Sequence, residues 1–243
     1  MYVHATIEPL PWESEFFALD SAKLSFSPSA PALAEADLAA YALVQAKIPA
    51  QHLALADGLA DLGFRLAEGE VDLVLDLESG RAGEPGGGAQ PSRLATEADI
   101  PALRAAAAQA FTVSRFRAPW YQPDDSGRFY ALWIEKAVLG AFDHQCLLAL
   151  DEQGQPEGFV SLRNLGERET RIGLLAAFPG ASGRGIGSRL MAAAIADCRR
   201  QGMQRLRVAT QAGNTAALRL YQRQGAVIES TAYWLYRGRH DSI

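Results

Sequence analysis

Little in this chain suits an extracellular, metal-bound or membrane-embedded protein. It has two cysteines in 243 residues, Cys146 and Cys198, each among apolar neighbours. Such a pair builds no disulfide framework and has no metal-ligand spacing, which fits buried thiols in a reducing compartment. The four histidines (4, 52, 144 and 240) pair with no cysteine or second histidine at ligand spacing, so no metal is expected. No apolar run approaches the ~18 residues of a membrane-spanning helix. The start, Met-Tyr-Val-His-Ala-Thr-Ile-Glu, has no signal-peptide pattern. A net charge of −5 offers no basic balance for nucleic acid. What remains is a cytoplasmic protein long enough to bury a sizeable core.

Glycine and proline crowd one stretch, Glu78 to Pro91, in which nothing could pack. It reads as a flexible linker over residues 79–91, dividing an N-terminal α/β part (1–78) from a larger part (92–243). In the first part we expect a strand near Val3–Glu8 and helices over Ala34–Lys47 and Leu53–Leu62. Two strands follow, Phe64–Ala67 and Glu70–Leu77. In the second part Ser92–Thr96 is a short strand. Asp99 caps a helix reaching Phe111, with Pro101 in its first turn, and another helix runs from about Phe129 to Leu139. Strands at His144–Leu150, Gly158–Leu165 and Ile172–Phe178 precede a helix, a strand at Arg205–Thr210, a helix ending at Gly225 and a terminal hairpin. The order β-α-α-β-β-β-α-β-α-β predicts an α/β fold with a mixed, twisted sheet and helices on both faces. Leu62-Gly63-Phe64 and the strands after it echo Gln224-Gly225-Ala226 and its hairpin, as a partial second copy of the same fold would.

The chemistry concentrates in Ala181-Ser-Gly-Arg-Gly-Ile-Gly-Ser-Arg-Leu190. This turn follows an apolar strand and opens a helix in which Ile186, Leu190, Ala194 and Cys198 recur on one face. Gly183, Gly185 and Gly187 let the backbone approach a phosphate, and the helix N-terminus adds partial positive charge. Arg184 and Arg189 carry full charges. A diphosphate ligand is expected. A nucleotide P-loop is excluded, because no lysine follows Gly187. The Gly-x-Gly-x-Gly spacing is also wrong for a dinucleotide fingerprint.

A second motif follows about 30 residues on. Asn214 suits the N-cap of a helix from Thr215 to Gln224. Tyr221 lies seven residues later, which is about 10 Å along one helix face. Any single tyrosine here is more often a packing residue; two motifs in this order argue otherwise.

Taken together, Gly183-x-Gly185-x-Gly187 and Asn214-x-x-Ala217-x-x-x-Tyr221 resemble the Gcn5-related N-acetyltransferases. Ser182 or a neighbour stands where that family usually has Arg or Gln, and the chain departs from the pattern around Ala176–Ser182, as a local insertion would. The resemblance implies acetyl-CoA as co-substrate. Its pyrophosphate would lie on backbone N–H groups of Ser182, Gly183, Arg184, Gly185, Ile186, Gly187 and Ser188, and Asn214 would contact the coenzyme. The Tyr221 hydroxyl would face the thioester sulfur as general acid. Backbone N–H groups of Leu174 and Leu175, where a strand bulge splays the chain, would hold the acetyl carbonyl. No base is assigned among the carboxylates Glu68, Glu70 and Glu229.

Ser114 to Tyr130 interleaves three arginines with five aromatics. Arg115, Arg117, Trp120, Tyr121 and Arg128 are candidates to meet a phosphate, nucleobase or sugar; an aromatic loop packing between helices is an equal reading. Across nearly the whole chain the resemblance is to family members that acetylate the 4-amine of a dTDP-linked 4-amino-4,6-dideoxy sugar. Two alternatives keep the fold: acetylation of a protein N-terminus or lysine, and an acetyl-CoA-binding sensor without turnover. Phe16, Phe17 and the terminal hairpin could supply a two-fold interface for a homodimer.

Overall fold

The computed structural model describes residues 2–78, 91–181 and 183–239. Most of the expected linker, and Ser182 of the expected phosphate loop, lie outside the described residues. The N-terminal stretch contains β1 (Ala5–Pro9), α1 (Pro11–Phe17), β2 (Ser21–Phe26), α2 (Glu35–Leu38), β3 (Leu43–Pro49), α3 (Leu53–Ala60) and β4 (Arg65–Asp76). Then come β5 (Ser92–Leu94), α4 (Ile100–Ala110), α5 (Asp125–Val138), β6 (Gln145–Leu150), β7 (Pro156–Gly166) and β8 (Glu169–Ala177). The last elements are α6 (Ile186–Arg200), β9 (Arg205–Gln211), α7 (Thr215–Arg223) and β10 (Val227–Gly238). From β5 onward the order is the expected one.

The strands form a single mixed sheet, ordered β1-β2-β3-β10-β4-β9-β8-β7-β6-β5. Only β2/β3 and β8/β9 pair in parallel. The two stretches read as separate parts therefore share one sheet, with β10 lying between β3 and β4. This arrangement also gives the internal echo a topological counterpart. The units β3-α3-β4 and β9-α7-β10 interlock, each placing one strand inside the other's pair. Exchanging the two units reverses the order β3-β10-β4-β9 onto itself, as a pseudo-two-fold axis between β10 and β4 requires.

Burial on both faces explains the continuous apolar run in β6. Leu147 and Ala149 pack with α6, while Cys146 and Leu148 pack with α4 and α5. Ile186, Leu190, Ala194 and Cys198 all face the first of these cores, as their spacing predicts.

Four expectations are corrected. The helix over Ala34–Lys47 is confined to Glu35–Leu38, and Leu43–Pro49 is a strand. There Val44, Ala46 and Ile48 alternate into one core, and the partners that favour extension, β2 and β10, lie elsewhere in the chain. The strands Phe64–Ala67 and Glu70–Leu77 are one, because Gly69 is no turn but a close crossing, its carbonyl accepting Ala212 N–H at 2.7 Å. The terminal hairpin is the single strand β10, which runs through Thr231–Tyr236 without a turn and is broken only by register shifts at Ile228/Ser230 and Trp234/Leu235. Asp99 does not cap α4; its carboxylate returns to Thr96 N–H at 2.8 Å and to Arg93. Phe17 is buried within the chain, while Phe16 is half-buried and stacks on the exposed Trp12.

Candidate active site

The site begins with a fault in β8. Val160 pairs with Leu175 and Leu162 with Ile172, so Gly173 and Leu174 together oppose Ser161. This bulge changes which face the strand presents. In a regular strand Ile172 and Leu174 would share a face; here Ile172 packs in the α6 core and Leu174 in the α4/α5 core. Parallel pairing to β9 ends at Ile172↔Val208. Past that point the two strands part around a cavity of about 300 Å³.

The cavity gathers much of the expected site. Leu174, Leu175, Asn214 and Tyr221 all line it. Asn214 caps α7, accepting Ala217 N–H on its side chain at 3.1 Å. The two-turn spacing then brings Tyr221 to the same wall. Burial pushes the Tyr221 phenol up to about 12, so it stays protonated and neutral at physiological pH. Leu174 N–H is already donated to Ser161 Oγ at 2.9 Å.

Opposite stand β4 and the loop before α5, with Glu68, Glu70 and Arg115 on the wall. Burial raises Glu68 to about 7, against the lowering pull of the Arg115 guanidinium and a hydrogen bond from Gln211. Glu70 is held below its usual range by its hydrogen bonds from Lys47 and Trp234, which outweigh burial. Of the three carboxylates weighed as base, Glu229 does not line this cavity and pairs with Arg207 instead.

At the start of α6, Gly183 (φ +82°) and Gly185 (φ +75°) adopt left-handed conformations that favour glycine. Gly185 is the N-cap and, among the described residues, no side chain caps this helix, leaving first-turn N–H groups available to an anion. Gly187 serves packing: a Cβ there would lie 3.0 Å from Leu220 of α7. Arg184 pairs with Glu157 at 2.8 Å, and Arg189 binds the same carboxylate and Leu150 O. Ile186 is buried and Ser188 exposed.

Of the five acceptor candidates, only Arg115 reaches the cavity. It donates to Gln45 Oε1 at 3.0 Å and to the Tyr236 hydroxyl, and lies 4.1 Å from the Trp234 ring centre. Arg117 binds Ala67 O at 3.1 Å, and Trp120 lines a separate hollow with Arg65 and Pro119. Tyr121 is buried, and Arg128 binds Asp125 and Phe16 O. The aromatic segment folds into its own core because stacked rings bury more area together than apart. Trp133, Arg163, Gln211 and Trp234, which the sequence reading did not single out, join the lining from four different elements.

A strand bulge and a glycine-rich helix start are what the resemblance to acyl-CoA-dependent transferases implied, and the structure has both. The model of the acetyltransferase (GNAT) family matches residues 107–226. The chain is 52% identical, over 98% of its length and 100% of the other, to a dTDP-fucosamine acetyltransferase of Escherichia coli O6:H1 (strain CFT073). It therefore belongs to the GNAT family and is an acetyltransferase that uses acetyl-CoA. A conserved protein of unknown function from Staphylococcus epidermidis shares the fold, with TM-score 0.62, 14% identity and coverage of 98% and 92% of the two chains. A tandem GNAT protein of clavulanic acid biosynthesis does so at TM-score 0.60, 14% identity and coverage of 92% and 76%. The chain spans 61% of a Sphaerobacter thermophilus acetyltransferase, with TM-score 0.59, 18% identity and 83% of this chain covered.

Proposed function

We propose that the chain transfers the acetyl group of acetyl-CoA to the 4-amine of dTDP-4-amino-4,6-dideoxy-D-galactose. The observation that carries the mechanism is one cavity lined by a carboxylate titrating near 7, Glu68, and a neutral phenol, Tyr221. The substrate is supported by the half-identical relative named for it. An ammonium has no lone pair, so the amine must lose a proton; Glu68, directly or through a water, takes it. The C–N bond forms, the C–S bond breaks, and Tyr221 supplies the proton that the departing sulfur needs; the nitrogen, cationic after attack, gives up its second proton through water to Tyr221, leaving a neutral amide and the phenol restored. Backbone N–H at the β8 bulge steadies the carbonyl oxygen, with Leu175 the better-placed donor because Leu174 N–H is engaged. The α6 N-terminus holds the pyrophosphate and Asn214 the pantetheine arm. Arg115 faces the acceptor; Arg117, Trp120, Tyr121 and Arg128 shape the wall from behind.

In this reading the product, dTDP-4-acetamido-4,6-dideoxy-D-galactose, serves enterobacterial common antigen synthesis in the cytoplasm. Among the described residues no helix is long and apolar enough to cross a membrane. The test is thiol release from acetyl-CoA with that amino sugar, its 4-epimer and an Ala-starting peptide in parallel. Turnover with the first alone is expected. Turnover with the peptide alone overturns the acceptor and keeps the fold, and binding of acetyl-CoA without turnover favours a sensor.

A further inference from the structure

A bulge leaves one residue out of the ladder, and something must hold it. Opposite the β8 bulge stands Ser161, wholly buried. Its Oγ accepts Leu174 N–H at 2.9 Å and donates to Asp143 Oδ2 at 2.5 Å. Asp143 is also wholly buried, and takes Trp133 Nε1 at 2.8 Å and Arg163 Nε at 3.0 Å. Arg163 balances its charge and lies 3.5 Å from the Phe142 ring centre. Each partner of the carboxylate is thus itself held.

The same pair excludes a side chain one position earlier. A Cβ at Gly173 would overlap Asp143 Oδ2 and fall 2.8 Å from Ser161 Oγ. Position 173 is therefore confined to glycine by the residues that pin position 174. Released from them, Leu174 would follow regular alternation into the core that already holds Ile172.

We propose that Ser161 and Asp143 are positioning residues for acetyl transfer, locking the β8 bulge so that the Gly173–Leu175 backbone keeps a fixed pose toward the thioester carbonyl. This rests on the reading above that backbone at the bulge holds that carbonyl. Neither side chain lines the cavity, whereas Gly173, Leu174 and Leu175 do, so the pair acts through the backbone. Rigidity matters because an oxyanion donor stabilises developing charge only if it is aimed beforehand. A displacement of about 1 Å can cost roughly 10²-fold in rate.

The test is Ser161→Ala, which fits the space and leaves Leu174 N–H without its acceptor. We expect kcat to fall roughly 10- to 100-fold, while the Kd of CoA, which has no acetyl carbonyl, stays the same. The infrared C=O stretch of bound carbonyl-13C acetyl-CoA, lowered by hydrogen bonding in the parent enzyme, should return toward its free value. Ser161→Thr, retaining the hydroxyl, should restore both. Unchanged rate and stretch in Ser161→Ala overturn the inference. If Ser161→Ala fails to fold, Asp143→Asn supplies the same readouts, and parental values there overturn it equally. Absence of any shift in the parent enzyme instead sinks the carbonyl contact on which the inference rests.

Discussion

The Glu68 carboxylate receives the backbone N–H of Arg115 and feels its guanidinium, yet burial outweighs both and raises its pKa to about 7. A carboxyl so placed passes between proton acceptor and neutral acid within the physiological range.

Activity should report that titration. Below pH 7 the carboxyl is protonated and cannot accept the amine proton, so kcat/KM for the amino sugar should rise with pH through about 7 and level off. Glu68→Gln should lower the plateau and erase the limb. Survival of the limb in that variant would assign it to another group.

Stability should move the other way. The folded pKa of Glu68 lies above its ordinary 4.5, so the fold disfavours the ionised form. Its contribution is fully present below about 4.5 and is lost as pH rises through about 7. In thermal melts Glu68→Gln should match the parent near pH 4 and exceed it at pH 8.

Arg115 lowers the Glu68 pKa by its charge. Arg115→Met should therefore shift the acidic limb to higher pH, and Arg115→Lys should hold it nearer the parent. A limb that stays put in Arg115→Met would mean that burial alone sets the value.

Tyr221 should be separable from binding. Tyr221→Phe keeps the ring in the wall and removes the proton, so kcat should fall roughly 10²–10⁴-fold with the acetyl-CoA KM little changed. Steady-state thiol release measures both, and an undiminished Phe variant removes Tyr221 from the role.

Gly185 caps α6 at φ +75°. Gly185→Ala should cost roughly 1 kcal/mol of stability, the penalty of a left-handed L-residue. It should raise the acetyl-CoA KM and leave the acceptor KM alone; an equal rise in both would argue against a pyrophosphate site there.

Legibility in the sequence followed the range of the interactions. The α6 stripe from Ile186 to Cys198, the Asn214 cap and the Tyr221 spacing are set within one helix, and the structure keeps them. The strand at Leu43–Pro49 was read as helix because its partners are β2 and the remote β10. For the aromatic segment, ligand binding and packing between helices were equal readings in the sequence; in the structure its Phe116 and Tyr121 join Phe17 and Tyr236 in one core. Glu68 was one carboxylate among several until burial, Gln211 and Arg115 distinguished it.

By itself, then, the sequence determined the glycine-rich start of α6, the Asn214-to-Tyr221 spacing and the order of elements along the chain from β5 onward, since each rests on spacing along a few turns or on local alternation. Only the tertiary structure decided that β10 enters between β3 and β4, that Glu68 shares a cavity with Tyr221, and that Asp143 lies beneath Gly173. Those depend on contacts between residues tens to hundreds of positions apart, and on a dielectric environment that exists only once the sheet has closed around them.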